Sequence, residues 1–122
     1  MGIEDVTVVV FHQAEKVKEA ISSKFNVKFG VQNVAFGTAD ALRTGLTKIN
    51  KNSKCVVVFN GDDSAFYKVE TIQNYINQHL ESGATVSVMG SKNNYQRPLG
   101  RIFRDQDGNF EDILEPNQYQ EQ

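Results

Sequence analysis

The residues with the most chemical potential close a valine run, Cys55-Val56-Val57-Val58-Phe59-Asn60-Gly61-Asp62-Asp63. A buried strand ending in Gly-Asp delivers a carboxylate to the rim of an α/β sheet, where ligands of such sheets bind. Glycine at position 61 lets a backbone or a phosphate come close. A carboxylate there suits Mg²⁺, which takes one or two protein oxygens and completes its sphere with water and phosphate oxygens. Asp62 is the candidate metal ligand. The same spacing equally describes a strand-to-loop turn in which Asp62 and Asp63 are merely solvated or capping.

A second candidate is Gly37-Thr38-Ala39-Asp40, which opens a helical pattern. The free N–H groups of a first helical turn can receive an anion or the edge of a base. Taken alone, the Gly-Thr pair is accounted for by capping, with Thr38 as N-cap and Asp40 suiting the positive helix end. Neither Gly-x-Gly-x-x-Gly nor Gly-x-x-x-x-Gly-Lys-Ser/Thr occurs, so neither common phosphate cradle supports another nucleotide site. His12 and His79 are far apart and read as helix-entry and helix-surface residues. Cys55, the single cysteine, reads as a packed small hydrophobe and rules out an internal disulfide or a cysteine zinc site. Phe66, Tyr67, Tyr75 and Tyr95 are too scattered for a stacking platform, and the lysines of 48–54 read as a solvated loop.

The elements that must hold these residues follow from periodicity. Val6–Phe11 is a continuous β-branched run, suited to a strand buried on both faces. Val17, Ala20, Ile21 and Phe25 share a helical stripe, and Val27–Val31 is extended. Leu42, Leu46 and Ile49 line the helix begun at Gly37. Cys55–Phe59 predicts a second buried strand, and Lys68–Glu81 a helix ended by Gly83 in the left-handed manner. Ala84–Met89 predicts another strand and Gly90–Leu99 a polar loop. Arg101–Arg104, the turn Asp105–Asn109 and Phe110–Leu114 predict a hairpin. Alternating strands and helices predict one α/β domain, a mostly parallel sheet with helices on both faces plus the hairpin. Pro116–Gln122 reads as a poorly structured tail.

With 122 residues, a net charge of −2 and a pI near 5.6, nucleic acid and anionic membranes are poor partners. No apolar run reaches the roughly 18 residues of a membrane span, and the valine-rich opening lacks the basic region of a signal peptide. The expected location is cytoplasmic.

Gln32, then Gly37-Thr38-Ala39-Asp40-Ala41-Leu42, Phe59-Asn60-Gly61-Asp62, Gly100-Arg101-Ile102 and Ile113-Leu114-Glu115 occur in an informative order. Together with the opening Gly2–Val6 and Ala14-Glu15-Lys16, this order resembles the sugar-1-phosphate nucleotidyltransferases over residues 1–116. The nearest likeness is to the uridylyltransferase domain of N-acetylglucosamine-1-phosphate enzymes. The resemblance implies a Rossmann-like nucleotidyltransferase fold that joins a nucleoside triphosphate, UTP by this likeness, to a sugar 1-phosphate with Mg²⁺. It implies that Gln32 pairs with the nucleobase edge, that Gly37 and Thr38 contact the base, and that Asp62 holds the metal. It also implies that the Gly100 backbone and the Glu115 carboxylate face the sugar.

Several residues depart from the pattern. Asp40 stands where uridylyl members usually carry His, and Gly-Thr-Ala-Asp-Ala also resembles the glucose-1-phosphate adenylyltransferases. Pro98-Leu99 precede Gly100 where an aromatic often stands, and Pro116 follows Glu115 in place of Lys. Nothing matches the family's Gly-x-Gly-Thr-Arg phosphate loop with its lysine, or its late Asn and second metal-binding Asp. The likeness therefore implies the middle of a domain whose ends lie outside these residues, and little turnover by this chain alone. Two alternatives stand beside the enzyme: a non-catalytic nucleotide-sugar-binding or scaffold module, including a homodimer paired through an exposed sheet edge, and a receiver-like or flavodoxin-like domain. The latter leaves the final hairpin unexplained.

Overall fold

The computed structural model describes residues 3–62, 64–92 and 99–119. Gly2, Asp63, Tyr95, Pro98 with most of the expected Gly90–Leu99 loop, and the last residues of the tail lie outside the described residues. The chain forms two compact units, Met1–Asn77 and Gln78–Gln122.

In the first unit, β1 (Thr7–Val10) leads through α1 (Ala14–Ser22) to β2 (Lys28–Val31), and α2 (Thr38–Leu46) follows. The β-branched run makes β1, and the connection through α1 returns the chain parallel to it, with Thr7 opposite Lys28 and Val10 opposite Val31. The Gln32 N–H donates to the Val10 carbonyl at 2.9 Å, so the ladder continues one residue past β2. Asp5 closes the other end: Lys28 Nζ lies 2.7 Å from one carboxylate oxygen, and the Asn50 N–H donates to the other.

Helix α2 rests on both strands through glycines. A Cβ on Gly30 would stand 3.1 Å from Thr44 Cγ2, and one on Gly45 would stand 3.1 Å from Val9 Cγ2. Among the described residues Val10 is the only buried apolar side chain, at 5% exposure. This small contact is therefore the core of the unit.

A short 3-10 turn (Ser64–Phe66) and α3 (Val69–Ser82) come next, α3 running across the boundary between units. Gly83 follows it at φ 64°, the left-handed stop expected from the sequence. In the second unit β3 (Arg101–Arg104) and β4 (Phe110–Leu114) form the expected antiparallel hairpin. Its turn is held by Asp105 Oδ1, which accepts the N–H groups of Asp107 at 3.0 Å and Asn109 at 2.8 Å. Helix α4 (Pro116–Tyr119) is one turn long, inside the stretch read as a tail.

The sheet differs from the sequence expectation. The chain is α/β, but its parallel sheet has two strands, and neither Cys55–Phe59 nor Ala84–Met89 joins a ladder. Val56 and Val58 are exposed while Cys55 and Val57 are half-covered, so only one face of that segment is shielded. An apolar β-branched run fixes what a segment is able to bury. A strand also needs a neighbour to accept its N–H groups, and periodicity carries no information about that. No helix among the described residues is long and apolar enough to cross a membrane.

The Gly30 contact makes a stability prediction. Overpacking strain of about 1–3 kcal/mol outweighs the roughly 0.4–1 kcal/mol gained by stiffening the unfolded chain. Gly30→Ala should therefore lose about 1 kcal/mol in urea unfolding. A variant as stable as the parent would mean that α2 shifts freely on the strands.

Candidate functional site

Position 32 lies just beyond the carboxyl end of β2, where an open α/β sheet presents its ligands. The next element, α2, begins six residues on and turns its first helical turn toward Gln32. Gln32 Nε2 donates to Asp40 Oδ2 at 2.9 Å, and Arg43 Nη2 donates to Asp40 Oδ1 at 2.7 Å. The Asp40 side chain is only 16% exposed, whereas Arg43 is 81% exposed. An ionised carboxylate accepts only, so the amide must turn its NH₂ toward Asp40 and its Oε1 away. These contacts hold the Asp40 carboxyl below the ordinary carboxylate range, first the Gln32 hydrogen bond and then the Arg43 hydrogen bond and charge.

Gly37 is the N-cap of α2, at φ 88° and ψ −174°, a region open essentially to glycine alone. Thr38 is therefore the first residue of the helix and not its cap, correcting the sequence expectation. Among the described residues no side chain caps this end, and none accepts from the first-turn N–H groups of α2. Thr38 is exposed. Gln32, Gly37, Thr38 and Asp40 thus form one local constellation with backbone donors, a hydroxyl and an oriented amide.

Asp62 lies in an exposed turn after the Cys55–Asn60 segment, which forms neither helix nor strand. The Ser64 N–H donates to the Asn60 carbonyl at 3.2 Å across this turn, and the rings of Phe59 and Tyr67 meet at 6.2 Å beside it. Among the described residues nothing bonds to the Asp62 carboxylate, and no hydrogen bond or ion pair links it to Gln32, Gly37, Thr38 or Asp40. No group of three or more His, Cys, Asp or Glu suited to a metal occurs among the described residues. That donor set does not suit an all-protein cage. It fits an ion such as Mg²⁺ that shares one carboxylate with phosphate oxygens.

In the second unit, Gly100 and Glu115 sit side by side at the open end of the hairpin. A Cβ on Gly100 would stand 3.5 Å from Glu115 Oε1 and 3.7 Å from the Leu114 carbonyl oxygen. The register explains this, because Arg101 opposite Leu114 leaves Gly100 facing Glu115. Gln118 Oε1 accepts the Glu115 N–H at 2.7 Å. His79 Nδ1 lies 2.8 Å from Ser87 Oγ, a part-buried contact, so His79 is more than a surface residue.

Sequence reasoning placed Gln32 and Asp40 separately and missed their hydrogen bond. The Asp40–Arg43 pair had a legible i,i+3 spacing. A bond across eight positions of loop had none.

The Asp40 shift has a pH consequence. A carboxyl whose pKa falls on folding stabilises the fold above its unfolded value, and that contribution fades as pH falls through the folded value. Asp40→Asn should thus unfold more easily than the parent by a constant margin near neutrality. The margin should close only in acid, below the ordinary aspartate range. A margin independent of pH throughout would show that the charge of Asp40 contributes nothing.

Known proteins resemble this chain in sequence. The family model described as nucleotidyl transferase matches residues 1–121. Bifunctional protein GlmU of Exiguobacterium sibiricum is 30% identical over 115 residues, covering 94% of this chain and 25% of the relative. The same-named proteins of Thermoanaerobacter pseudethanolicus and Acetivibrio thermocellus are 32% and 33% identical, over 94% and 93% of this chain and 24% of each relative. The chain thus spans about a quarter of the length of these relatives. On the match from residue 1 to residue 121, the chain belongs to the nucleotidyl transferase family.

Proposed function

We propose that this chain supplies the nucleobase, metal and sugar contacts of a sugar-1-phosphate nucleotidyltransferase, with UTP as the nucleotide. The observation that carries this reading is the Gln32–Asp40 constellation at the carboxyl end of β2, beside an uncapped helix start. It occupies the ligand-bearing rim of an α/β sheet, and its residues are those that the family resemblance assigns to the base.

In the proposed reaction, a phosphate oxygen of the sugar 1-phosphate attacks the α-phosphorus of the triphosphate in line. A new P–O bond forms, the bond from the α-phosphorus to the bridging oxygen breaks, and pyrophosphate leaves with that oxygen's electrons. Gln32 orients the base through its amide, and the Gly37–Thr38 backbone and hydroxyl complete that contact. Asp62 would hold Mg²⁺, which when bound offsets negative charge on the phosphate oxygens. The carboxylate of Glu115 and the backbone of Gly100 accept and donate to the sugar.

These 122 residues contain no Gly-x-Gly-Thr-Arg loop. Removing one donor of that type costs about 10²–10³ in rate, so we propose that the chain alone binds nucleotide and turns over little. A second reading, a non-catalytic module that pairs through a sheet edge, is favoured by the two-stranded parallel sheet, in which each of β1 and β2 has one side without a strand partner among the described residues.

Calorimetric titration of the full chain with UTP, with and without Mg²⁺, separates the two. The enzyme reading expects Mg²⁺ to strengthen UTP binding and Asp62→Ala to abolish that gain, leaving metal-free binding unchanged. Equal Mg²⁺ dependence in parent and variant would remove Asp62 from the site. Failure of the parent to bind UTP or ATP, together with dimerisation, would favour the module.

A further inference from the structure

Among the described residues, Asp40 is the charged group hydrogen-bonded to the proposed base-reading side chain, and its geometry constrains what that side chain offers. A free glutamine amide can present its oxygen and nitrogen in either order, because a half-turn about its last bond exchanges them. Here Asp40 Oδ2 takes one Nε2 hydrogen at 2.9 Å. The other carboxylate oxygen is held by Arg43 at 2.7 Å, and the Thr44 hydroxyl donates to the Asp40 carbonyl at 2.9 Å. Carboxylate, helix turn and amide are therefore fixed together. Exchanging the amide ends would set Oε1 against Oδ2, acceptor against acceptor.

The order of donor and acceptor along a base edge differs between bases. Read from the C5 side, uracil offers a carbonyl oxygen and then N3–H, whereas adenine offers an amino group and then N1. A swivelling amide satisfies both orders, and a pinned amide satisfies one. We propose that Asp40 is a positioning residue that sets nucleotide selectivity, by locking the Gln32 amide so that a base is accepted in only one donor–acceptor order. This rests on the reading of Gln32 as the base contact.

The test uses the full chain, with UTP and ATP as probes in the presence of Mg²⁺, and compares their affinities in the parent, Asp40→Asn, Asp40→Ala and Gln32→Ala. Asparagine is nearly isosteric and can turn either an oxygen or an NH₂ toward Gln32, so it satisfies both amide orders. The parent should discriminate between the two nucleotides. Asp40→Asn should shrink the ratio of their affinities by roughly tenfold, a typical worth for a bidentate amide–base pair, chiefly by improving the disfavoured nucleotide. Asp40→Ala should also shrink the ratio, while weakening both. Far-UV circular dichroism and melting of each variant identify any that has lost α2, and a loss of fold would weaken both nucleotides without improving either.

In the Gln32→Ala background, Asp40→Asn should have no further effect on the ratio, because its route of action is gone. If Gln32→Ala leaves both affinities unchanged, the base-contact reading itself fails. If Gln32→Ala weakens binding but Asp40→Asn keeps the parent's ratio, or the two effects add, only the positioning proposal is overturned. A parent that binds both nucleotides equally also overturns it.

Discussion

Helix α2 lies against β1 and β2 at a separation that only glycine permits, and the geometry of the Gln32 site follows from that contact. Thr44 approaches the strand where Gly30 has no side chain, and Val9 approaches the helix where Gly45 has none. A methyl group at either place would push the helix outward by a few tenths of an ångström. The ladder bond from Gln32 N–H to the Val10 carbonyl holds the first residue beyond β2 in register. With both helix and residue fixed, the Asp40 carboxylate meets the Gln32 amide at hydrogen-bond distance. The same positions would not coincide if α2 were displaced along the strands by one turn, about 5.4 Å.

Much of this was legible in the sequence, unevenly. Helices with strong stripes were found within a few residues, and the hairpin Arg101–Leu114 matched at both strands, because Asp105, Gly108 and Asn109 are turn chemistry with a fixed local partner set. Gly37 was picked out as a helix start, but its conformation made it the cap in place of Thr38. The strands at Cys55–Phe59 and Ala84–Met89 were misjudged for a different reason. Their pattern is right for burial, and pairing depends on a neighbour that pattern cannot supply. Of the candidate site, Gln32 came from motif order, and Asp62 from its place after a valine run together with that order. The Gln32–Asp40 bond came only from three-dimensional structure, since no periodicity joins a loop residue to one eight positions on.

Two aspartates bracket the parallel pair, and their partners differ in kind. Asp5, before β1, takes Lys28 and the Asn50 N–H. Asp40, beyond β2, takes Gln32 and Arg43. Each has its carboxyl held below the ordinary range, for Asp5 by Lys28 first and Asn50 next, and for Asp40 by Gln32 first and Arg43 next. The electrostatics are alike, and the partners are not. Asp5 ties a lysine and a backbone amide into a structural clasp at the amino end of the strands. Asp40 takes one hydrogen of an amide that keeps a second N–H and a carbonyl oxygen with no partner among the described residues. Under the proposed reading of Gln32 as the base contact, that unspent capacity at the ligand-bearing end would let Asp40 orient a recognition group.

Among the described residues, the metal half of the proposed site makes fewer contacts than the base half. Asp62 follows a segment without ladder bonds, and the contacts described around it are the Ser64–Asn60 bond and Phe59 against Tyr67. An aromatic pair contributes about 0.5–1.5 kcal/mol when well packed, and less here because both rings are 42% exposed. Ordering each residue of a turn costs about 1–2 kcal/mol in backbone entropy. Under the proposed reading, ordering of Asp62 on a metal-triphosphate complex would add to these contacts, whereas the Gln32–Asp40 bond is already made without ligand. A base contact formed in advance discriminates by its fixed donor–acceptor order, and a single carboxylate completes its coordination with phosphate oxygens.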